Sequence, residues 1–193
     1  MILKEMDFTS FYSHIRDIFS PHFNSDEVDQ IMEHVEILSD ANFRCYRANM
    51  VVIETRKKEA WKEHIDVDKL VSDMEWVARS VGEYRVSSKA RINKFISLAR
   101  PHKETTESDT WVSDDVVYSI GEMMDRLSIE TIKREDFRVN NRPQHMTDSC
   151  QNLSDRVEKY LKAKLVEVYT RGYECVHEQR TYDLEGIVKD LAI

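Results

Sequence analysis

The chain is poor in the residues that interrupt regular structure. Its 193 residues include only four glycines and three prolines, whereas 33% are charged and 41% are hydrophobic. Tight turns depend on glycine and proline, so their scarcity favours long helices over a turn-rich β fold. We therefore predict an all-α protein, an antiparallel helical bundle of five to seven helices of which two or three are long.

Cysteine pairs, long apolar runs and an excess of positive charge are also missing. Cys45, Cys150 and Cys175 contain no CxxC pair, so we expect small core residues, not disulfides or a thiolate zinc site. No run of about 18 apolar residues occurs and the start lacks the features of a secretory signal, which predicts a cytoplasmic protein without a membrane span. A net charge of −8 argues against general nucleic-acid or membrane affinity.

Apolar residues at helical spacing divide the chain into segments. Helices are predicted over residues 8–19, 25–64, 66–99 with a possible break at Gly82, 113–139, 153–180 and 184–191. The stripe of the second helix places Asn42 and Asn49 inward, and a polar linker near 101–112 joins two halves of a single domain, 1–193. Helices of about 40 and 30 residues exceed the diameter of such a domain, which favours a homodimer.

Two pairs of carboxylates have a spacing that suits a divalent cation. Glu122 and Asp125 lie three residues apart on one helix face, as Mg²⁺ ligands often do, and Glu33 and Glu36 form a second pair. The two pairs are similar to the ExxE and ExxD motifs of all-helical nucleotide pyrophosphohydrolases. The alternative places Asp125 and Arg126 in ion pairs between helices and Glu33 in solvent.

Two further patterns are weaker indications of a ligand site. Glu174 and His177 form one ExxH motif, whereas a di-iron bundle needs two. Between residues 83 and 103 only Glu83 opposes six cations that could hold phosphate, although their spread around the helix favours a solvated face. The six cations are Arg85, Lys89, Arg91, Lys94, Arg100 and Lys103.

The segment 120–133 resembles a motif of uncharacterised, all-helical bacterial and phage families, G-[ES]-x-x-D-[KR]-[LI]-[ST]-I-x-x-[IL]-K. The families' L-x-x-x-N-F helix is similar to residues 38–43, and their Q-R-x-D-L helix to residues 179–184. The resemblance implies a helical fold with an inward polar cluster, but no established activity. The cluster consists of Asn42, Glu122, Asp125, Arg126, Lys133, Gln179 and Arg180.

Three functions remain compatible with that cluster. It can pair with itself and fix helix register in an accessory protein of bacterial or phage type that binds a protein partner. It can hold a nucleotide or sugar phosphate through Arg126, Lys133 and Arg180, without a required cofactor. It can also belong to an enzyme, in which case Glu122 and Asp125 would hold Mg²⁺ for nucleotide pyrophosphate hydrolysis.

Overall fold

A computed structural model describes residues 5–57, 67–101 and 119–173, and these residues form helices and no strand. The prediction of an all-α protein is confirmed for this part of the chain. No helix within these ranges is both long and apolar enough to cross a membrane. In chain order the helices are α1 (Thr9–Phe19), α2 (Ser25–Lys57), α3 (Val67–Ala99), α4 (Ile120–Val139) and α5 (Gln144–Arg171).

Helices α2 and α3, each 33 residues long, are the main antiparallel pair of the bundle. Arg100, which follows α3, donates at 2.8 Å to Glu27 in the first turn of α2. Further along, the Cys45 thiol lies 3.7 Å from the Ala78 carbonyl oxygen. Residue numbers rise along α2 as they fall along α3, so the two helices run in opposite directions.

The other helices complete the bundle around the same core. Helix α4 packs on α2, α3 and α5, and α1 packs on α2. The buried apolar residues recur at spacings of three and four, which places them on one face of each helix. The largest fully buried ones include Ile15, Phe19, Ile31, Met32, Leu38, Ile92, Ile96, Met124, Leu161 and Leu165.

Local signals predicted the extent of α1 and the start of α2. α1 spans Thr9–Phe19, close to the expected 8–19. Asn24 Oδ1 accepts a hydrogen bond from Glu27 N at 3.0 Å, and Glu27 Oε2 accepts one from Asn24 N at 2.9 Å. This reciprocal pair is a capping box, so it satisfies two backbone donors at the start of α2.

Several predicted boundaries are wrong. α3 continues through Gly82 because one glycine costs a helix only about 1 kcal/mol, which a 33-residue packed helix tolerates. α4 begins at Ile120 after its cap Ser119, not at residue 113. α5 begins at Gln144, directly after Pro143, and ends at Arg171 because Gly172 adopts a φ of 82°.

Some predictions fall outside the described residues. These are the end of the second helix beyond Lys57, most of the linker, and the last helix at 184–191. Within the described range Asn42 faces inward as predicted, but the prediction for Asn49 is wrong, because Asn49 is exposed beside the buried Ala48. Cys45 and Cys150 are buried as predicted, and burial is the main cause that raises the pKa of each thiol.

Candidate functional site

A layer of polar side chains lies buried where α2, α3 and α4 meet. Its centre is Asp125 on the second turn of α4, which is only 4% exposed. Asn42 comes from α2, Arg85 and Lys89 come from α3, and Ser128 follows on α4. We call these five residues the Asp125 layer.

Two cations from α3 hold the carboxylate of Asp125. The guanidinium of Arg85 donates from Nη2 to Oδ2 at 3.0 Å and from Nε to Oδ1 at 3.3 Å. Lys89 Nζ lies 3.9 Å from Oδ2. Arg85 and Lys89 are one helical turn apart, so both can reach the same carboxylate. Removal of one partner from a buried pair of this kind costs about 3–5 kcal/mol.

An amide and a hydroxyl complete the Asp125 layer. Asn42 Nδ2 donates to Asp125 Oδ1 at 2.9 Å and to Ser128 Oγ at 2.6 Å. The Ser128 hydroxyl donates to the Asp125 carbonyl oxygen at 2.9 Å. Asn42 Oδ1 is buried and has no hydrogen-bond partner in the described part of the chain. The layer is therefore paired internally, apart from this one amide oxygen.

A capping box fixes the start of α4. Ser119 Oγ accepts a hydrogen bond from Glu122 N at 3.2 Å, and Glu122 Oε2 accepts one from Ser119 N at 2.9 Å. The predicted metal pair of Glu122 and Asp125 is thus divided. The first carboxylate satisfies the helix start, whereas the second is paired with Arg85.

Asn93 and Tyr173 close the same end of α4. Gly121 N donates to Asn93 Oδ1 at 2.8 Å, and Ile120 N donates to the hydroxyl of Tyr173 at 3.2 Å. Anions bind at helix N-termini through free backbone N–H groups. The N–H groups of Ile120, Gly121 and Glu122 already have protein acceptors, so this end of α4 does not present them to a phosphate.

Gly121 permits the close approach of α4 to α3. A Cβ atom added at Gly121 would lie 2.5 Å from the carbonyl oxygen of Lys89 and 3.1 Å from Asn93 Nδ2. The carbonyl belongs to a helix backbone and cannot move aside easily. The absence of a side chain at Gly121 therefore allows the crossing at which Arg85 reaches Asp125.

A second buried carboxylate lies further along α4. Glu130 is 2% exposed, and its Oε1 lies 3.2 Å from both Arg126 Nε and Lys133 Nζ. All three residues belong to one helix face, because their spacings are three and four. Burial, with Glu130 adding to it, raises the pKa of the Cys150 thiol to about 11. We call Arg126, Glu130 and Lys133 the Glu130 cluster.

Asp136, near the end of α4, is a third buried carboxylate. Tyr46 from α2 donates its hydroxyl to Oδ2 at 3.0 Å, and Asn140 Nδ2 donates to Oδ1 at 2.9 Å. Burial, with Asp136 adding to it, raises the pKa of the Tyr46 phenol. The phenol therefore stays protonated at neutral pH and serves as a donor.

The structure separates the predicted polar cluster into parts. Asn42 and Asp125 meet as expected, across α2 and α4. Arg126 and Lys133 instead contact Glu130, and Arg126 remains 48% exposed. Gln179 and Arg180 lie outside the described residues.

Sequence reasoning missed the partners that α3 contributes. Three of the six cations predicted to lie mainly on a solvated face contact carboxylates of other helices: Arg85, Lys89 and Arg100. The signal was available, because Arg85 and Lys89 continue the buried stripe of Ile92 and Ile96 at spacings of four, three and four. Residues at these positions face inward whether they are charged or apolar.

The described residues contain no group of three or more His, Cys, Asp or Glu side chains that could hold a metal ion. Glu33 and Glu36, the second predicted carboxylate pair, are both exposed on α2. The Glu174 and His177 motif lies outside the described residues. The contacts present around Asp125 are those of an ion pair between helices.

A surface groove of about 340 Å³ lies between α1, α4 and α5. Phe11, Ile15 and Leu127 contribute apolar surface to it, and Arg134 and Glu158 are among its polar lining residues. Glu158 is hydrogen-bonded to His14 at 2.8 Å, and Arg134 is hydrogen-bonded to Gln151. These polar groups are engaged with each other and do not converge on one point.

Compared with known proteins, the chain matches no protein-family model, no curated protein and no solved structure.

Proposed function

We propose that the chain is a cytoplasmic accessory protein that acts by binding a protein partner, and that its Asp125 layer fixes the register of the helices. The observation that carries this proposal is on the outer face of α3. Trp76, Tyr84 and Leu98 are 69%, 63% and 71% exposed. Large apolar side chains held this far into solvent are typical of interaction surfaces.

These three side chains belong to one continuous stripe. They share it with Ser80, Ser87, Arg91 and Lys94, at successive spacings of four, four, three, four, three and four. Such a spacing keeps all seven residues on one face of a helix, which is the pattern by which helices pack on each other. We call this set the α3 stripe. Tryptophan and tyrosine are enriched among the residues that dominate binding energy.

The contacts of the polar residues support this reading over a phosphate site. Arg126 and Lys133 each lie 3.2 Å from the carboxylate of Glu130, and the two oxygens of Asp125 accept from Arg85. A phosphorylated ligand at these cations would have to displace carboxylates that are themselves buried, which leaves uncompensated charge.

The proposal is tested by purification of the tagged full-length chain from the cells that make it. We expect a polypeptide, or a second copy of the chain, to be retained in stoichiometric amount. The triple variant Trp76→Ser, Tyr84→Ser, Leu98→Ser should lose it. A matched triple serine variant on α5 should keep the bound polypeptide. Its sites are the exposed Tyr160, Val166 and Tyr169.

Thermal denaturation with Mg²⁺, nucleotides and sugar phosphates tests the two ligand alternatives. A ligand that binds only the folded state raises its melting temperature. We expect no shift. A retained phosphorylated compound, or stabilisation by nucleotide that Asp125→Asn abolishes, would contradict the proposal and favour the ligand site or the Mg²⁺-dependent hydrolase.

A further inference from the structure

A second stripe lies on the outer face of α2, beside the α3 stripe. Its seven members are all exposed and follow one another at spacings of four and three. This heptad pattern keeps them on one side of the helix. They are Asp26, Gln30, Glu33, Ile37, Asp40, Arg44 and Arg47, which we call the α2 stripe.

The two stripes carry opposite charge at the same end of the helix pair. The first five members of the α2 stripe include three acidic residues, Asp26, Glu33 and Asp40, and the last three members of the α3 stripe include two basic ones, Arg91 and Lys94. Of these, Asp40 pairs within its own helix with Arg44 at 2.9 Å. Glu33, Arg91 and Lys94 form no ion pair with another described residue.

The antiparallel contacts set which residues share a level. Glu27 meets Arg100 at one point and Cys45 meets Ala78 at another, so residues of α2 and α3 at one level have numbers that sum to about 125. Glu33 is thus level with residues 91–94. Consistently, Arg91 is close enough to His34 to lower the pKa of that imidazole, although burial is the larger cause.

We propose that a second copy of this chain binds to the two stripes, related by a two-fold axis that runs along the seam between α2 and α3. This inference rests on the proposed function and names its partner. Rotation about such an axis lays the α2 stripe of one copy on the α3 stripe of the other, at the same level. Glu33 then faces the partner's Arg91, and by symmetry the contact occurs twice.

The pairing of Glu33 with Arg91 favours this axis over the other two-fold arrangement. An axis across the helices, centred on the α2 stripe, would lay α2 antiparallel on the partner's α2, so that Glu33 would lie near the partner's Asp40 and not opposite Arg91. Like charges that face each other in an interface oppose association, whereas the arrangement along the seam joins Glu33 to an opposite charge. It also places Arg44 within one helical turn of the level of the partner's Tyr84, whose ring can accept a cation.

The size of the surface indicates a dimer of modest affinity. Residues 26–47 of a helix rise about 32 Å, and two helices side by side are about 20 Å wide. Each subunit would bury roughly 600 Å², somewhat less than the about 800 Å² of a standard stable interface. Ile37, Tyr84 and Leu98 supply the exposed apolar area within it.

Charge reversal in two separate chains tests the proposal. We expect Glu33→Lys and Arg91→Glu each to raise the dissociation constant of the dimer at least about tenfold, because each places two like-charge contacts in the interface. An equimolar mixture of the two variants should recover the wild-type constant, because both contacts in the mixed dimer join opposite charges. Sedimentation velocity over a concentration series measures the dissociation constants of the wild type, the two variants and their mixture.

Two variants with the same charge changes serve as controls. Asp17→Lys on α1 and Lys159→Glu on α5 alter exposed residues away from both stripes, and the dimer should persist in each. Circular dichroism melts verify that every variant is folded.

Three outcomes would overturn the proposal: a wild-type chain that stays monomeric at all concentrations, single variants that dimerise as the wild type does, or a mixture no tighter than its components. The wild-type chain could instead be monomeric and co-purify with another polypeptide that the α3 triple variant no longer retains. That result would overturn this inference and leave the proposed function standing. A monomeric chain that retains no polypeptide would overturn both.

Discussion

The two faces of α3 use the same residue types in opposite ways. On the inner face Arg85 and Lys89 contact Asp125, and Arg100 contacts Glu27 at the end of the same face. All of these contacts join α3 to another helix. They favour one register of the bundle, because a shift of α3 by one turn would leave the buried Asp125 with only one of its two cations.

On the outer face Arg91 and Lys94 are exposed and lie between apolar residues of the α3 stripe. The inner and outer cations are the same residue types, arginine and lysine. Only their phase relative to Ile92 and Ile96 differs. A basic stretch in a helix is thus best divided by helical phase before any function is assigned to it.

The largest expected effect comes from removal of the charge at the centre of the inner face. Asp125→Asn should lower the free energy of unfolding by at least about 3 kcal/mol, because Arg85 and Lys89 would then be left without their buried carboxylate. Denaturant unfolding in the absence of any ligand measures it. Asp73→Asn, at an exposed position of α3, is the control and should change stability by less than about 0.5 kcal/mol. Equal effects of the two substitutions would show that the inner and outer faces do not differ.

The next largest effect is expected where α4 crosses α3. Gly121→Ala should destabilise by about 1–3 kcal/mol, since its Cβ would overlap the Lys89 carbonyl oxygen. Gly82→Ala is the matched control, because no atom lies within 4 Å of the added Cβ. That change should stabilise by roughly 0.5–1 kcal/mol through helix propensity. Thermal melts of both variants should therefore move in opposite directions, and a shift of the same sign would contradict the close crossing.

A smaller, pH-dependent effect is expected at Glu27. Its hydrogen bond from Arg100 holds the pKa of the carboxyl below the ordinary value of 4.5. The ionised form therefore favours folding above pH 4.5, and this contribution is lost as the pH falls through the lowered folded-state pKa. Glu27→Gln should be less stable than the wild type at pH 7, and the difference should shrink below pH 4.5. A difference that stays constant between pH 7 and pH 3 would exclude this linkage.

The smallest effect is expected from the outer cations. Arg91→Ser with Lys94→Ser should change the stability of the isolated subunit by less than about 0.5 kcal/mol, because exposed residues of this kind contribute little. Urea titrations at protein concentrations well below the dissociation constant of the dimer measure this change in stability. A loss comparable with that of Asp125→Asn would show that the outer cations also hold the fold together.

The fold was predictable where the signals are local. Composition predicted an all-helical chain, and Asn24 with Glu27 marked the start of α2. The S-x-x-E pattern of Ser119 and Glu122 marks the start of α4 in the same way. The interpretation of Glu122 as a metal-binding partner of Asp125 conflicts with this role. The possible break predicted at Gly82 does not occur, since one glycine does not end a helix that packing stabilises.

The candidate site was predictable only in part, because its contacts are distant in sequence. Asn42 and Asp125 were both predicted and do meet. Arg85 lies 40 residues from Asp125, and the helix crossing that brings them together depends on Gly121. The separation of Arg126 and Lys133 from Asp125 follows from Glu130, a buried carboxylate on their own helix face.

A double-mutant cycle between Asp125 and Arg85 tests most directly whether the Asp125 layer holds the fold together. The free energies of unfolding of Asp125→Asn, Arg85→Gln and the double variant are compared with that of the wild type, without ligand. We expect both single variants to be destabilised, and a coupling of at least about 1.5 kcal/mol between them, in the range typical of residues in one ion-pair network. Additive effects, or a single variant more stable than the wild type, would contradict the account and indicate that Asp125 is retained for a ligand at the expense of stability.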